Sequence, residues 1–181
     1  MWGVVYAFFL ALLVVRIGGG DARRPQPLPP LPGEPLWLTR VHHGLFLVLL
    51  LGAPLEAVLV PGAATGRGPG VLLFGAGVIL YRIAGRTLGE ALSPFIEPRA
   101  AAPLVTAGLY RFLRHPMYLS EALIAVGAPL TLGSRYVVVA AVPAVVVLVV
   151  RILREEQALA RTFPEYPHYA ARTKRIVPFL Y

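Results

Sequence analysis

Two short polar runs stand out in an apolar chain. Arg114-His115-Pro116-Met117-Tyr118 sits directly before one long apolar stretch, and Arg154-Glu155-Glu156 directly after the next. Each suits particular chemistry. Pro116 is a natural first residue of a helix, because its missing N–H would have no partner there and its φ is already helical. The residue before a proline avoids the α region, so His115 is predicted to be extended and outside the helix. The first free backbone N–H groups, those of Met117, Tyr118 and Leu119, then face the same lip as Arg114 and His115. Such a lip attracts a carboxylate or phosphate through donor geometry and helix dipole. On the other run, neighbouring residues on a helix differ by about 100° in direction. Glu155 and Glu156 therefore cannot face one pocket equally: one points into the structure, the other to an Arg or to solvent. Arg151 and Glu155, four apart, are placed to pair. Carboxylates beside an anion-binding lip suit a zwitterionic ligand, or one with a sugar diol and a cationic centre.

The elements that must position these groups are membrane helices. Of 181 residues 57% are hydrophobic and 14% charged, with mean hydropathy +0.69. A soluble domain carries about a quarter charged residues. Five apolar blocks are predicted as spans: Trp2–Val15, His43–Val60, Val71–Ile83, Met117–Leu132 and Tyr136–Ile152. Several fall short of the ~20 residues of a standard span and need flanking aromatic or snorkelling side chains. The first block has no basic leader and no small-residue cleavage site, and so reads as a retained span. Fifteen of the 17 Lys and Arg residues fall on one side of this arrangement: four after the first block, five between the third and fourth, six after the fifth. Only Arg67 and Arg135 fall on the other. The positive-inside rule then places the N-terminus outside and the C-terminus in the cytoplasm.

The net charge of +8 is accounted for by topology and by anionic headgroups. No basic stripe interleaved with aromatics points to nucleic acid. With no Cys, disulfides, thiolate catalysis and thiolate metal sites are excluded. No His and carboxylate spacing reads as a metal site; His42 and His43 read as interfacial. "GGGDARRPQPLPPLPGEP" reads as a stiff polyproline-like connector, and "PGAATGRGPG" and "GSR" as short outside loops. No internal repeat of the transporter kind is present. The fourth and fifth blocks form a hairpin with a minimal turn. It returns Arg114–Tyr118 and Arg154–Glu156 to one cytoplasmic lip.

Two acids lie within spans and are functional candidates for that reason. Glu121, one turn after Met117, is placed to line an acceptor pocket. Glu56 in the second block reads at least as well as a carboxyl hydrogen-bonded to a neighbouring helix. Glu165 and His168 read as exposed edges of a packed tail.

These residues together resemble the integral-membrane methyltransferases, which include isoprenylcysteine carboxyl methyltransferase and, more distantly, the phospholipid amine methyltransferases. The resemblance is carried by Gly108, Tyr110 and Arg111; by Arg114, His115, Pro116 and Tyr118; by Glu155 and Glu156; and by Phe163, Tyr166, Tyr169 and Pro178 in the tail. It covers about Arg86 to Tyr181. It implies an all-α polytopic membrane fold of about five transmembrane helices, whose C-terminal hairpin and cytoplasmic tail form the cofactor site. It implies division into N-terminal helices with the Pro-rich linker, 1–85, and a catalytic region, 86–181. It implies S-adenosylmethionine as methyl donor, with Gly108, Tyr110, Arg114, His115, Pro116, Tyr118, Glu155 and Glu156 as the cofactor-binding set. In that set His115 and Tyr118 contact the donor near its amino-acid part and ribose, and one of the two glutamates holds its polar groups. The acceptor is then lipid-like or a small hydrophobic molecule, such as an isoprenylcysteine-type carboxylate, entering from the bilayer. Arg111 or Arg172 would orient a carboxylate acceptor, and Glu121 would line its pocket. The membrane would be the plasma or inner membrane in a bacterium and the endoplasmic reticulum in a eukaryote. Two other readings stand beside this one: a phospholipid amine N-methyltransferase, and an NADPH-dependent reductase of the steroid 5α-reductase type. The reductases share a similar Arg-His-Pro-x-Tyr, and Ser120-Glu121 partly echoes their Gly-Glu. A non-enzymatic membrane scaffold would bind neither cofactor.

Overall fold

The computed structural model describes residues 1–18, 34–60, 66–98 and 102–176, with the side chains of 16–18 left aside. The first half of the expected first outside loop, most of the polyproline-like connector and Pro178 lie outside them. Six α-helices follow in order: α1 Trp2–Gly18, α2 Leu36–Leu59, α3 Arg67–Leu88, α4 Pro116–Leu132, α5 Ala141–Thr162 and α6 Tyr166–Arg172. Short 3-10 turns stand at Gly89–Ala91, Gly108–Arg111 and Val137–Ala140. Among the described residues the only strand-like feature is one parallel bridge, Leu113 with Lys174.

Among the described residues three helices are long and apolar enough to cross a bilayer: Leu36–Leu59, Arg67–Ala91 and Val137–Thr162. The first and fourth expected spans appear as shorter apolar helices, Trp2–Val15 and Pro116–Leu132. The expected outer loop 61–70 ends early, because Arg67 already starts α3. Gly66, with φ of 83°, makes the left-handed turn into it.

The centre of the bundle is the α3–α4 pair. A Cβ added at Gly70 would strike the backbone of Leu130 and Thr131, one at Gly77 would strike Ile124 and the Ser120 carbonyl, and one at Gly127 the backbone of Leu73 and Phe74. Small residues let two helices approach backbone to backbone, which is how helices associate where lipid removes the hydrophobic drive. Phe74, Val78 and Ile124 fill the space beside this seam, and Tyr6 and Leu13 of α1 pack on it. The Arg82 guanidinium donates to the Leu12 carbonyl at 2.8 Å and ties α1 to α3. Outward-facing Leu47, Leu51, Leu72, Val142 and Val146 stay exposed, as a lipid-facing surface requires.

α4 and α5 form the expected hairpin, but α5 begins only at Ala141, after a 3-10 turn at Val137–Ala140. Gly133, with φ of 73°, ends α4 and donates its N–H back to Leu130. The Glu56 carboxylate of α2 then accepts the backbone N–H groups of Arg135 at 2.6 Å and Val137 at 2.8 Å, together with the Ser134 hydroxyl. An acid at the start of the α5 segment satisfies donors the helix itself cannot. Glu56 is thus a cap supplied by a neighbouring helix. The tail departs from a single smooth helix: α5 stops at Thr162, and Pro167 helps start a separate α6. Glu165 and His168 are exposed along it, and Tyr166 and Tyr169 are buried.

Candidate active site

Pro116 opens α4 as the sequence requires, and His115 stays outside the helix, but with φ −127° and ψ 54° it is not fully extended. The two polar runs do meet. Arg114 Nε donates to Glu156 Oε1 at 2.7 Å, and the Tyr118 hydroxyl donates to Glu155 Oε2 at 2.5 Å. These partners are 42 and 37 residues apart in sequence. The two glutamates diverge as adjacent helical residues must. Glu156 turns to the cations and Glu155 to Tyr118.

The lip differs from the expected open anion site. Glu156 itself occupies it, with Arg175 Nε at 2.8 Å and His115 Nε2 at 3.4 Å in addition to Arg114. Arg114 Nη1 also donates to the carbonyls of Ala170 and Thr173. The backbone N–H groups of Arg114 and His115 donate to the carbonyls of Lys174 and Arg175, and that of Leu119 donates to His115. The tail has therefore folded over the lip, and an internal carboxylate neutralises it. Buried charged pairs need hydrogen bonds to offset desolvation; Arg114 has them, whereas His115 Nε2 makes none. Arg151 also departs from expectation. It does not pair with Glu155; its Nη1 donates to Thr39 Oγ1 at 3.0 Å and its Nη2 to the Pro94 carbonyl at 2.9 Å.

Beside this knot lies a cleft with about 690 Å³ of empty volume, part of it open to solvent. Tyr110, Arg114 and Glu155 of the expected cofactor set line it. Gly108, His115, Pro116, Tyr118 and Glu156 do not line it. Gly108 takes φ of 57° to turn the chain into the 3-10 segment that carries Tyr110. His115 is 2% exposed and packs 5.6 Å from the Tyr118 ring. The tail aromatics Phe163, Tyr166 and Tyr169 form one side of the cleft; Ser93, Phe95 and Ile96 form another. Sequence reasoning did not single out the 93–98 wall. Its only signal is an apolar Phe-Ile pair bracketed by Pro94 and Pro98. Tyr169 donates its hydroxyl to the Tyr110 carbonyl at 2.7 Å. Burial lifts its phenol to about 12 and raises that of Tyr166 further, so both stay neutral.

A second polar cluster lies where α2, α4 and α5 meet. His42 Nε2 stands 3.7 Å from Glu121 Oε2, and the Arg151 guanidinium lies 5.9 Å from the Tyr118 ring. His42 is 6% exposed and stacks on Phe46, so it is an interior residue and not the interfacial one the sequence suggests. His42 Nδ1, Glu121 Oε2 and Arg151 Nε are buried without hydrogen-bond partners. Burying such atoms unsatisfied costs about 1–3 kcal/mol each, so native structures leave few of them. Arg111 and Arg172 are both exposed, Arg111 lying 5.7 Å over the Phe112 ring. Neither lines the cleft. Among the described residues no group of His and acids is arranged to hold a metal.

Comparison with known proteins bears on this arrangement. The profile of a family described as phospholipid methyltransferase matches residues 67–166. It takes in α3, which the resemblance read from sequence left out, and ends at Tyr166. No curated protein matches the chain. A solved structure of the eukaryotic intramembrane Ras methyltransferase, isoprenylcysteine carboxyl methyltransferase, superposes with a TM-score of 0.59 at 20% identity. The superposition covers 83% of this chain and 55% of that one. At that identity the likeness is one of fold, and the chain spans about half the length of that protein.

Proposed function

Because this chain belongs to the phospholipid methyltransferase family, an integral-membrane methyltransferase family, we propose that it transfers a methyl group from S-adenosylmethionine to a lipid-like or small hydrophobic acceptor. One observation carries the reading. The cleft joins the Arg-His-Pro-x-Tyr run, the Glu-Glu run and the tail tyrosines around a single carboxylate, Glu155. Its donor set fits a nucleoside sulfonium. Phe95, Phe163 and Tyr166 offer flat apolar walls to a purine. Glu155, held by Tyr118, faces the polar groups of ribose or amino acid. Glu156, His115 and Pro116 act from behind, keeping Arg114 and the tail in place.

The bound donor supplies an already activated methyl group. The chain's own residues then have to align it and exclude water. The tail and the 93–98 segment close the cleft on two sides. On the acceptor side, His42, Glu121 and Arg151 present polar atoms that lack partners, as expected of groups that meet a substrate head. Glu121 keeps 19% of its side-chain exposure, so the cluster is open on one side. Arg151 is better placed than Arg111 or Arg172 to face an acceptor carboxylate of the isoprenylcysteine type. The rim arginines add attractive charge at the surface.

Five spans with the C-terminus cytoplasmic fit the helix directions. Glu56, Arg67 and Ser134 share one end of the bundle, and the cleft, with most basic residues, lies at the other. The two short helices would be completed by local thinning and snorkelling. The division at residue 85 gives way, in this reading, to a catalytic unit that includes α3.

The test is calorimetric titration of the protein in nanodiscs with S-adenosylhomocysteine and, separately, with NADPH. Binding of the first alone is expected. Binding of NADPH alone would favour the reductase and overturn the proposal. Labelled donor incubated with membranes, followed by mass analysis of the labelled lipid, identifies the acceptor.

A further inference from the structure

The 93–98 wall of the cleft has no regular secondary structure to hold it, and Pro94 and Pro98 each remove a donor. Its remaining backbone groups must be satisfied from elsewhere. The Phe95 N–H is met locally by the Ser93 hydroxyl at 3.1 Å, but the Ile96 and Glu97 N–H groups and the Pro94 carbonyl are met by residues far away in sequence. Glu34, just before α2 and 9% exposed, accepts the Ile96 N–H on Oε1 at 3.0 Å and the Glu97 N–H on Oε2 at 3.0 Å. Thr39 Oγ1 lies 3.5 Å from Glu34 Oε1 as donor, and accepts from Arg151 Nη1 at 3.0 Å. Arg151, 4% exposed, also holds the Pro94 carbonyl through Nη2. The same guanidinium lies over the ring of Tyr118, whose hydroxyl fixes Glu155. One connected set of contacts thus fixes both the wall and the carboxylate on the other side of the cleft.

We propose that Glu34 is a positioning residue for the donor. With Arg151 it clamps the 94–97 backbone so that Phe95 and Ile96 stand where the donor's base must pack. A bidentate carboxylate on two successive N–H groups fixes both position and orientation, which a single hydrogen bond does not. Glu34 lies outside the stretch that matches the family profile, residues 67–166. The donor cleft of this chain therefore draws on its N-terminal half. The proposal rests on the reading of the cleft as a donor site.

The experiment uses the full chain in nanodiscs, with S-adenosylhomocysteine as probe, and compares wild type with Glu34→Ala and Glu34→Gln. Affinity is read by calorimetry, and wall order by hydrogen exchange of peptides spanning 93–98. Glu34→Ala is expected to weaken the probe about tenfold and to speed exchange at Ile96 and Glu97 by at least that factor, the loss of hydrogen bonds to a charged group. Exchange in α3 and α4 stays unchanged. Glu34→Gln keeps one acceptor oxygen and is expected to stay within about threefold of wild type in affinity. If Glu34→Ala does not accumulate, Glu34→Gln carries the test through faster exchange at one of the two amides alone. Unchanged exchange at 93–98, unchanged affinity, or faster exchange spread through the bundle overturns the proposal. Wild-type protein that fails to bind the probe overturns the donor reading itself, and the exchange comparison still decides whether Glu34 holds the wall.

Discussion

Replacing Glu156 with Ala tests whether the lip is an internal lock. Glu156 meets Arg114, His115 and Arg175, and its side chain is 13% exposed. The side chain of Arg114 is 11% exposed and that of Arg175 29%. Removing one partner of a fully buried pair costs about 3–5 kcal/mol, and an exposed pair contributes about 0–1 kcal/mol. Arg114 keeps the carbonyls of Ala170 and Thr173 after the substitution, and Arg175 can turn to solvent. The expected cost is therefore intermediate, about 2–4 kcal/mol. For a chain of this size that lowers the thermal midpoint by about 5–15 °C. Glu156→Gln keeps an acceptor and should lose about half as much. The tail supplies a local readout. The backbones of Lys174 and Arg175 are hydrogen-bonded to residues 112–115, so trypsin cleavage after Lys174 should be slow in wild type and fast in Glu156→Ala. Thermal unfolding in nanodiscs and mass analysis of the tryptic products measure both effects. A midpoint unchanged within about 1 °C, with wild-type cleavage after Lys174, would refute the lock.

Glu155→Gln should behave in the opposite way: S-adenosylhomocysteine affinity falls about tenfold or more with little change in midpoint, by calorimetry and thermal unfolding. Tyr118→Phe, which removes only the hydroxyl bonded to Glu155, should weaken the same binding about three- to tenfold. Arg111→Ala and Arg172→Ala, at exposed rim positions, should each leave methyl transfer to membrane lipids within about twofold, since exposed charges contribute little; a tenfold loss in either would restore the role the sequence suggested. Burial raises the Tyr166 and Tyr169 phenols, so the folded protein disfavours their ionised forms. Their contribution to stability is complete below pH ~10 and is lost as pH rises toward about 12. A double Tyr→Phe variant should lose that part of the alkaline destabilisation in a pH series of unfolding midpoints.

Local rules made much of this site legible in the sequence. Pro116 dictated the start of α4 and kept His115 out of the helix, although its ψ of 54° stops short of the extended region. The minimal turn between two apolar blocks implied the hairpin that joins residues 42 apart. The divergence of Glu155 and Glu156 followed from helical geometry alone. What escaped was the choice of partner. A cationic lip attracts a ligand anion and an internal carboxylate alike, and only the folded tail shows that Glu156 fills it. Arg151 and Glu155 had suitable spacing, but a buried hydroxyl at Thr39 and a bare carbonyl at Pro94 compete for the same guanidinium. His42 looked interfacial because neighbouring His43, exposed and bonded to the Thr39 carbonyl, is indeed at the surface. One helical step separates the two environments. Glu34 left no signal, since its partners are backbone amides 62 and 63 residues away.

The single bridge between Leu113 and Lys174 also bears on the order in which the protein comes into being. All the apolar helices precede it in the chain, so they can insert and pack along the glycine seam before the bridge exists. The cleft cannot, because its floor at Tyr110 and Arg114 waits for Tyr169, Ala170 and Thr173 to arrive from the C-terminal side. A nascent chain that has reached only Phe163 already holds α1 to α5, yet its cleft still lacks the wall formed by Tyr166 and Tyr169. The cleft is thus completed only once residues 169–175 have been made, after α1 to α5 are all present in the chain.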